Sequence, residues 1–93
     1  MPGKIQIKVI VKGRVQGVFF RANTKDTADR LGIKGYVKNL PNGSVEAVFE
    51  GEQSAVTQMM EWCHKGPVAS KVEHVMTEKA EASSNFEIFE IRY

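Results

Sequence analysis

A two-layer α+β sandwich, with two helices laid over one face of a mostly antiparallel sheet, is the fold class this sequence predicts. Three observations predict it. The hydrophobic period alternates between strand-like and helix-like along the chain, in the order strand, helix, strand, strand, helix, strand, strand. Asn42-Gly43 is a strong hairpin signal between the second and third strands. Each helical stretch carries one apolar stripe, so each helix can bury only one side, and a shared sheet face satisfies both.

The elements follow in order. Over residues 4–12, Ile5, Ile7, Val9 and Val11 alternate with Gln6, Lys8, Ile10 and Lys12, a period of two with one apolar face and one mostly polar, solvated face. Gly13-Arg14-Val15-Gln16-Gly17 breaks that pattern. Over residues 20–31 the period becomes helical, with Phe20, Thr24, Thr27, Ala28 and Leu31 on one side and Gly32 as a stop. Tyr36-Val37-Lys38-Asn39 leads into the turn Leu40-Pro41-Asn42-Gly43, and Val45-Glu46-Ala47-Val48-Phe49 leads out, with Gly51 ending the strand. Residues 52–65 form the second helix on the stripe Val56, Met59, Met60 and Cys63, and Gly66-Pro67 stops it. Residues 72–77 read as a strand, the polar run 78–85 as a loop, and residues 86–93 as a short closing strand with Phe89, Ile91 and Tyr93 on one face.

The order βαββαβ, plus one terminal strand, suits the ferredoxin-like arrangement with strands one and three central. In that topology the loop after strand one and the end of strand two lie at the same edge of the sheet. With strand three between them they stand about 9–10 Å apart, two strand spacings. Residues 13–21 and Asn39 can then share one small ligand.

Bulk properties narrow the function. At 93 residues the chain is read as a single domain, 1–93. Hydrophobic content of 42% and charged content of 26% are ordinary for a globular protein. No apolar run approaches the ~20 residues of a membrane span. The alternating start MPGKIQIKVIVKG is unlike a signal peptide, so the expectation is a cytoplasmic protein without membrane association. A net charge of +2 is too small to argue for nucleic acid, though it suits a small anionic substrate. A lone cysteine, Cys63, rules out an internal disulfide and a CxxC site. His64 and His74 lack partners at metal-ligand spacing, so no metal and no cofactor is expected.

Three features carry chemistry. The two glycines of the 13–18 loop permit conformations in which successive N–H groups form an anion-binding concavity, and the free N–H groups of the following helix point the same way. A plain strand-to-helix turn is the alternative. Arg21 falls at the first turn of that helix, where a cation is unfavourable by ~0.3–1 kcal/mol unless an anion sits beside it. Its guanidinium fork matches two phosphate oxygens, though a solvated surface arginine is the commoner case. Asn39 ends strand two, where an amide can hold a water through both donor and acceptor; ordinary turn chemistry explains it equally well. The loop is neither a Walker A nor a dinucleotide motif. No serine or cysteine sits in a nucleophile elbow.

Together these residues resemble a known family. Gly13-Arg14-Val15-Gln16-Gly17-Val18-Phe19-Phe20-Arg21 is similar to the first acylphosphatase signature, and Gly35-Tyr36-Val37-Lys38-Asn39 with Gly43-Ser44-Val45 and Gly51 to the second. The closing Phe89-Glu90-Ile91-Arg92-Tyr93 resembles the family's C-terminus. The resemblance implies hydrolysis of a small-molecule acyl phosphate, with inorganic phosphate as product. It implies that backbone N–H groups of Val15, Gln16, Gly17, Val18, Phe19 and Phe20 hold the phosphoryl group. Arg21 and Asn39 are then the catalytic pair, Asn39 placing the water, and Phe19 stands at a variable position suited to tuning the substrate pocket. A monomer is expected. Rival readings are a phosphate-binding module without catalysis, a carbamoyl-phosphate-handling module like that of a hydrogenase-maturation carbamoyltransferase, and an RNA-binding domain. No RRM-type RNP1 pattern appears around residues 45–50.

Overall fold

The computed structural model describes residues 3–83 and 85–93. The elements are β1 (Lys4–Arg14), α1 (Phe20–Leu31), β2 (Lys34–Asn39), β3 (Val45–Glu52), α2 (Gln53–Lys65), β4 (Lys71–Glu81) and β5 (Phe89–Arg92). The sheet order is β4-β1-β3-β2-β5. Neighbouring pairs are antiparallel except β2 with β5, which is parallel. β1 and β3 are central, as the topology argument requires, and β3 separates β1 from β2.

Period-two alternation decides which face the helices cover. Val9 and Val11 of β1, Val37 of β2, Val45, Ala47 and Phe49 of β3 and Phe89 of β5 are buried in one cluster with Phe20, Ala28, Val56, Met59 and Cys63 from the helices. The Phe49 and Phe89 rings stack at 5.7 Å between centroids, which seats the short β5 on the core. Phe20 packs against Trp62 at 5.5 Å and joins the two helices.

The opposite sheet face is polar and tightly paired. Tyr36 Oη donates to Glu46 Oε2 at 2.8 Å, and Lys8 and Lys38 each place Nζ 3.6 Å from that carboxylate. Burial opposes the Glu46 charge, yet the Tyr36 hydrogen bond and the two lysines outweigh it and hold the carboxyl below its usual range. Burial, helped by the Glu46 carboxylate, pushes the Tyr36 phenol up to about 12. Glu50 accepts hydrogen bonds from Gln6 Nε2 at 3.0 Å and from Ser83 N at 2.7 Å, pinning the segment that crosses from β4 to β5.

Several boundaries differ from the sequence reading. The expected loop 78–85 is strand through Glu81, where Lys8 pairs with Glu78 and Ile5 with Glu81. An edge strand is held by its backbone ladder, and residues 78–81 are all exposed, so no apolar alternation marks them. Ser84, within that expected loop, lies outside the described residues. The closing strand covers only Phe89–Arg92, and Tyr93, just past it, is 98% exposed. β3 passes through Gly51 to Glu52, which becomes the residue before α2 rather than its first turn. β1 continues across Gly13 to Arg14 with a register shift between Lys12 and Gly13. Gly13 has φ 130°, and a side chain there would collide with the Lys71 backbone. This bulge carries Arg14 and the following loop over the end of the sheet.

Candidate active site

The loop between β1 and α1 is built from two left-handed residues. Gly17 has φ 73°, freely available to glycine. Phe19 has φ 62° and ψ 24°, and a bulky residue in that region costs about 1–3 kcal/mol of backbone strain. Its ring is 80% exposed, so core burial does not compensate for the strain. Among the described residues, no protein acceptor takes a hydrogen bond from the N–H groups of Gln16, Gly17, Val18 or Phe19. The first intrahelical bond of α1 runs from Asn23 N to Phe19 O at 3.0 Å, which leaves the helix-start N–H groups open too. α1 has no side-chain cap and no acidic residue in its first turn. The positive end of the helix dipole is therefore not neutralised within the helix.

Arg21 projects from that first turn toward the strand ends. Its Nη1 donates to Arg92 O at 3.2 Å, and its guanidinium carbon lies 4.7 Å from the Tyr93 ring centroid. Arg92 is the register partner of Lys38, the residue before Asn39. The Arg21 head thus reaches a point one strand and one residue from Asn39. Gly17, Phe19, Phe20, Arg21, Ile91 and Tyr93 line a cavity of about 240 Å³ there.

Asn39 is the last residue of β2 and pairs with Val45. It alternates with Val37 and Gly35, so it continues the helix-covered face to the edge where α1 begins. Among the described residues nothing hydrogen-bonds its carboxamide. Gln16 closes the gap between loop and turn: its Nε2 donates to Leu40 O and to Ser44 O, each at 2.8 Å. The loop and the end of β2, expected to share an edge, are therefore physically tied.

Two features escaped the sequence. Gln16 was expected to contribute only a loop amide, and nothing in its local pattern points to a tether across to residues 40 and 44. Tyr93 was expected to share a face with Phe89 and Ile91, and nothing in that pattern points to its ring lying against the Arg21 guanidinium. Among the described residues, no three His, Cys, Asp or Glu side chains gather into a metal-holding group. His64 Nδ1 is 2.9 Å from Met60 O, within its own helix. Cys63 is buried, and that burial pushes its thiol up to about 12, far from a nucleophile. No helix among the described residues is long and apolar enough to cross a membrane.

Fold and site together define a ferredoxin-like sandwich with unpaired loop amides and an arginine at its strand ends. Comparison with known proteins narrows this. The acylphosphatase family model matches residues 7–91. The chain is 45% identical to an acylphosphatase of Anaeromyxobacter dehalogenans over 93 residues, covering 100% of both chains. It is 53% identical to one of Rubrobacter xylanophilus over 87 residues, 94% of this chain and 79% of that one. The crystal structure of acylphosphatase from Bacillus subtilis superposes with a TM-score of 0.92 at 35% identity, covering 96% of this chain and 99% of that chain. This chain belongs to the acylphosphatase family, whose reaction class is the hydrolysis of acyl phosphates. A full-length HypF structure shares the fold at a TM-score of 0.86 but only 21% identity, and this chain covers 12% of it.

Proposed function

We propose that this protein hydrolyses the carboxyl–phosphate bond of small acyl phosphates without a metal, using Arg21 and Asn39. The observation that carries the reading is the placement of the Arg21 guanidinium beside the end of β2, hydrogen-bonded to the carbonyl that faces Lys38. One phosphoryl group spanning the 15–20 loop, whose 16–19 amides are open, and Arg21 then meets Asn39 from the strand side.

The chemistry follows from that placement. The N–H groups of Val15, Gln16, Gly17, Val18, Phe19 and Phe20 and the guanidinium offset charge on the equatorial oxygens. Asn39 orients a water through its carboxamide. The water oxygen bonds to phosphorus as the bond to the acyl oxygen breaks, and the carboxylate leaves with the electron pair. The water proton passes to a phosphoryl oxygen, since none of the described residues lining the Arg21 cavity carries a carboxylate or imidazole side chain. A carboxylate is a stable leaving group, so orientation and fixed dipoles supply what the reaction needs. The same reading takes the protein as a cytoplasmic monomer, which size-exclusion chromatography of the purified protein checks in part.

The test is benzoyl phosphate hydrolysis in excess EDTA, with Arg21→Ala beside the wild type. Turnover that survives EDTA and falls at least ~10²–10³-fold in the variant supports the assignment. A folded wild type without turnover leaves only a phosphate-binding module.

A further inference from the structure

β4 forms one edge of the sheet and pairs with β1 alone. The opposite edge, β5, has 4 residues, and Lys25 Nζ donates to its Phe89 carbonyl at 2.9 Å. β4 has 11 residues, none of them buried. Among the described residues, its backbone makes no hydrogen bond to another backbone group beyond the β1 ladder. An open edge of this length is a template for a further strand. We infer that it pairs with the same edge of a second copy of this chain, antiparallel about a two-fold axis at Met76, in a weak dimer with one continuous sheet.

The charges on β4 select both the partner and the register. Lys71, Glu73, Glu78, Lys79 and Glu81 are exposed, and among the described residues none of them has an ion-pair partner within the chain. Elsewhere on the sheet, Lys8, Lys38 and Arg92 each find a carboxylate. Run in reverse, β4 complements itself. With Met76 opposite Met76 of the second copy, His74 faces Glu78 and Val75 faces Thr77. Further out, Glu73 meets Lys79 and Lys71 meets Glu81. Each unlike contact occurs twice, as an isologous interface requires. Residues opposite one another in an antiparallel pair turn their backbone groups the same way, toward the partner or away from it, so the axis passes through a residue. An axis at Val75 sets Lys71 against Lys79, and one at Thr77 sets Glu73 against Glu81. Of these three central axes, only that at Met76 sets opposite charges together.

The apolar contacts agree. Met76 is 47% exposed on the uncovered sheet face, beside its register partner Ile10. With Lys8, Thr77 and Glu78 these two line an open hollow of about 420 Å³. The axis brings the second Met76 against the first, and each covers apolar surface that is otherwise open to water.

The register shift between Lys12 and Gly13 passes over Glu73, which leaves residues 74–78 as the regular stretch of the new pair. Beyond it the outer pairs move by up to one residue, about 3.4 Å, within reach of Lys and Glu side chains. So short a ladder covers less than the roughly 1,200–2,000 Å² of a stable interface. The dimer therefore forms at high concentration, and the monomer taken above is its dilute state. Both edges of the joined sheet are then β5, so the assembly closes at two copies.

The experiment is sedimentation equilibrium of the wild type, Met76→Glu, Lys79→Glu and the double variant Glu73→Lys with Lys79→Glu, each checked for fold by circular dichroism. The wild-type average mass should rise from that of the 10.4 kDa chain toward twice that value between about 10 µM and about 1 mM. Met76→Glu sets two carboxylates together at the axis, and Lys79→Glu sets like charges together at both symmetric places. Each should raise the dissociation constant about tenfold or more. The double variant restores both pairs with their signs exchanged and should return to within about threefold of the wild type. All these side chains are exposed, so the variants test the edge without burdening the core. A wild type that stays monomeric to about 1 mM, or forms species larger than a dimer, overturns the inference. A dimer indifferent to Met76→Glu, or one weakened by Lys79→Glu and not rescued by the exchange, overturns it equally.

Discussion

The Gln16 carboxamide donates to the Leu40 carbonyl across a span of 24 residues in sequence, at 2.8 Å, and to the Ser44 carbonyl at the same distance. It fixes the loop between β1 and α1 to the turn that begins one residue after Asn39. Both carbonyls also accept a backbone N–H within the turn, Leu40 O from Gly43 and Ser44 O from Leu40. The tether therefore adds to an already formed turn and sets where the loop sits against it.

Removing the donor should loosen the pair without destroying either part. Gln16→Ala is expected to lower stability by about 1–2 kcal/mol in urea unfolding. It should also lower kcat more than it weakens inhibition by inorganic phosphate. Gln16→Glu, which sets a carboxylate against two carbonyl oxygens with no donor between them, should be worse on both counts. Wild-type kcat in Gln16→Glu would show that the tether plays no part in turnover.

On the proposed mechanism, Asn39→Ala separates water positioning from phosphate binding. The loop amides and Arg21 remain, so competitive inhibition by phosphate should stay within a few-fold of wild type. The maximal rate should fall by ~10²–10³-fold, the scale for loss of one positioned polar group. A variant that loses phosphate affinity and rate equally would make Asn39 a binding residue instead.

Acid sensitivity should localise to the open sheet face. The Glu46 carboxyl is held below its ordinary value of 4.5, so its charged form is favoured more in the native than in the unfolded state. A lowered carboxyl contributes stability that is complete above that unfolded value and disappears as pH falls through the lower native one. Melting temperature should therefore drop as pH is lowered through this window in the wild type. It should drop less in Glu46→Gln, which keeps a hydrogen-bond acceptor for Tyr36 but cannot titrate. At the alkaline end the sign is that of a raised phenol. Tyr36 contributes below its ordinary value of 10.0, and that contribution is lost toward about 12. Parallel acid profiles for wild type and Glu46→Gln would assign the effect elsewhere.

Cys63 should be silent in the native state. Its thiol is 1% exposed among Val56, Met59 and the sheet, and burial raises it to about 12. Thiolate chemistry then requires unfolding. Modification by an aromatic disulfide reagent should be slow in buffer and should accelerate along the urea unfolding curve. Rapid native labelling with loss of turnover would place the thiol within reach of the site.

Much of this was legible because local patterns and the tertiary fold agree. The alternation Ile5, Ile7, Val9, Val11 and the stripe Val56, Met59, Cys63 encode burial directly, and Asn42-Gly43 encodes the hairpin. Residues 78–81 were misread because an exposed edge strand is defined by its neighbour's backbone rather than by its own side chains. The Tyr93–Arg21 contact was not legible because it joins the end of the last strand to a helix 72 residues earlier in the chain.

Period, turn chemistry and two local motifs in the chain were enough to establish the layers and the central strands, and to nominate Arg21, Asn39 and residues 15–20 as the site. They could do so because each depends on residues within a few positions of one another. Tertiary structure alone decided that Gln16 grips residues 40 and 44, that Arg21 rests on the end of β5, and that Phe19 lines two cavities. Those relations join segments far apart in sequence, and their geometry exists only once the sheet has set strand order and register.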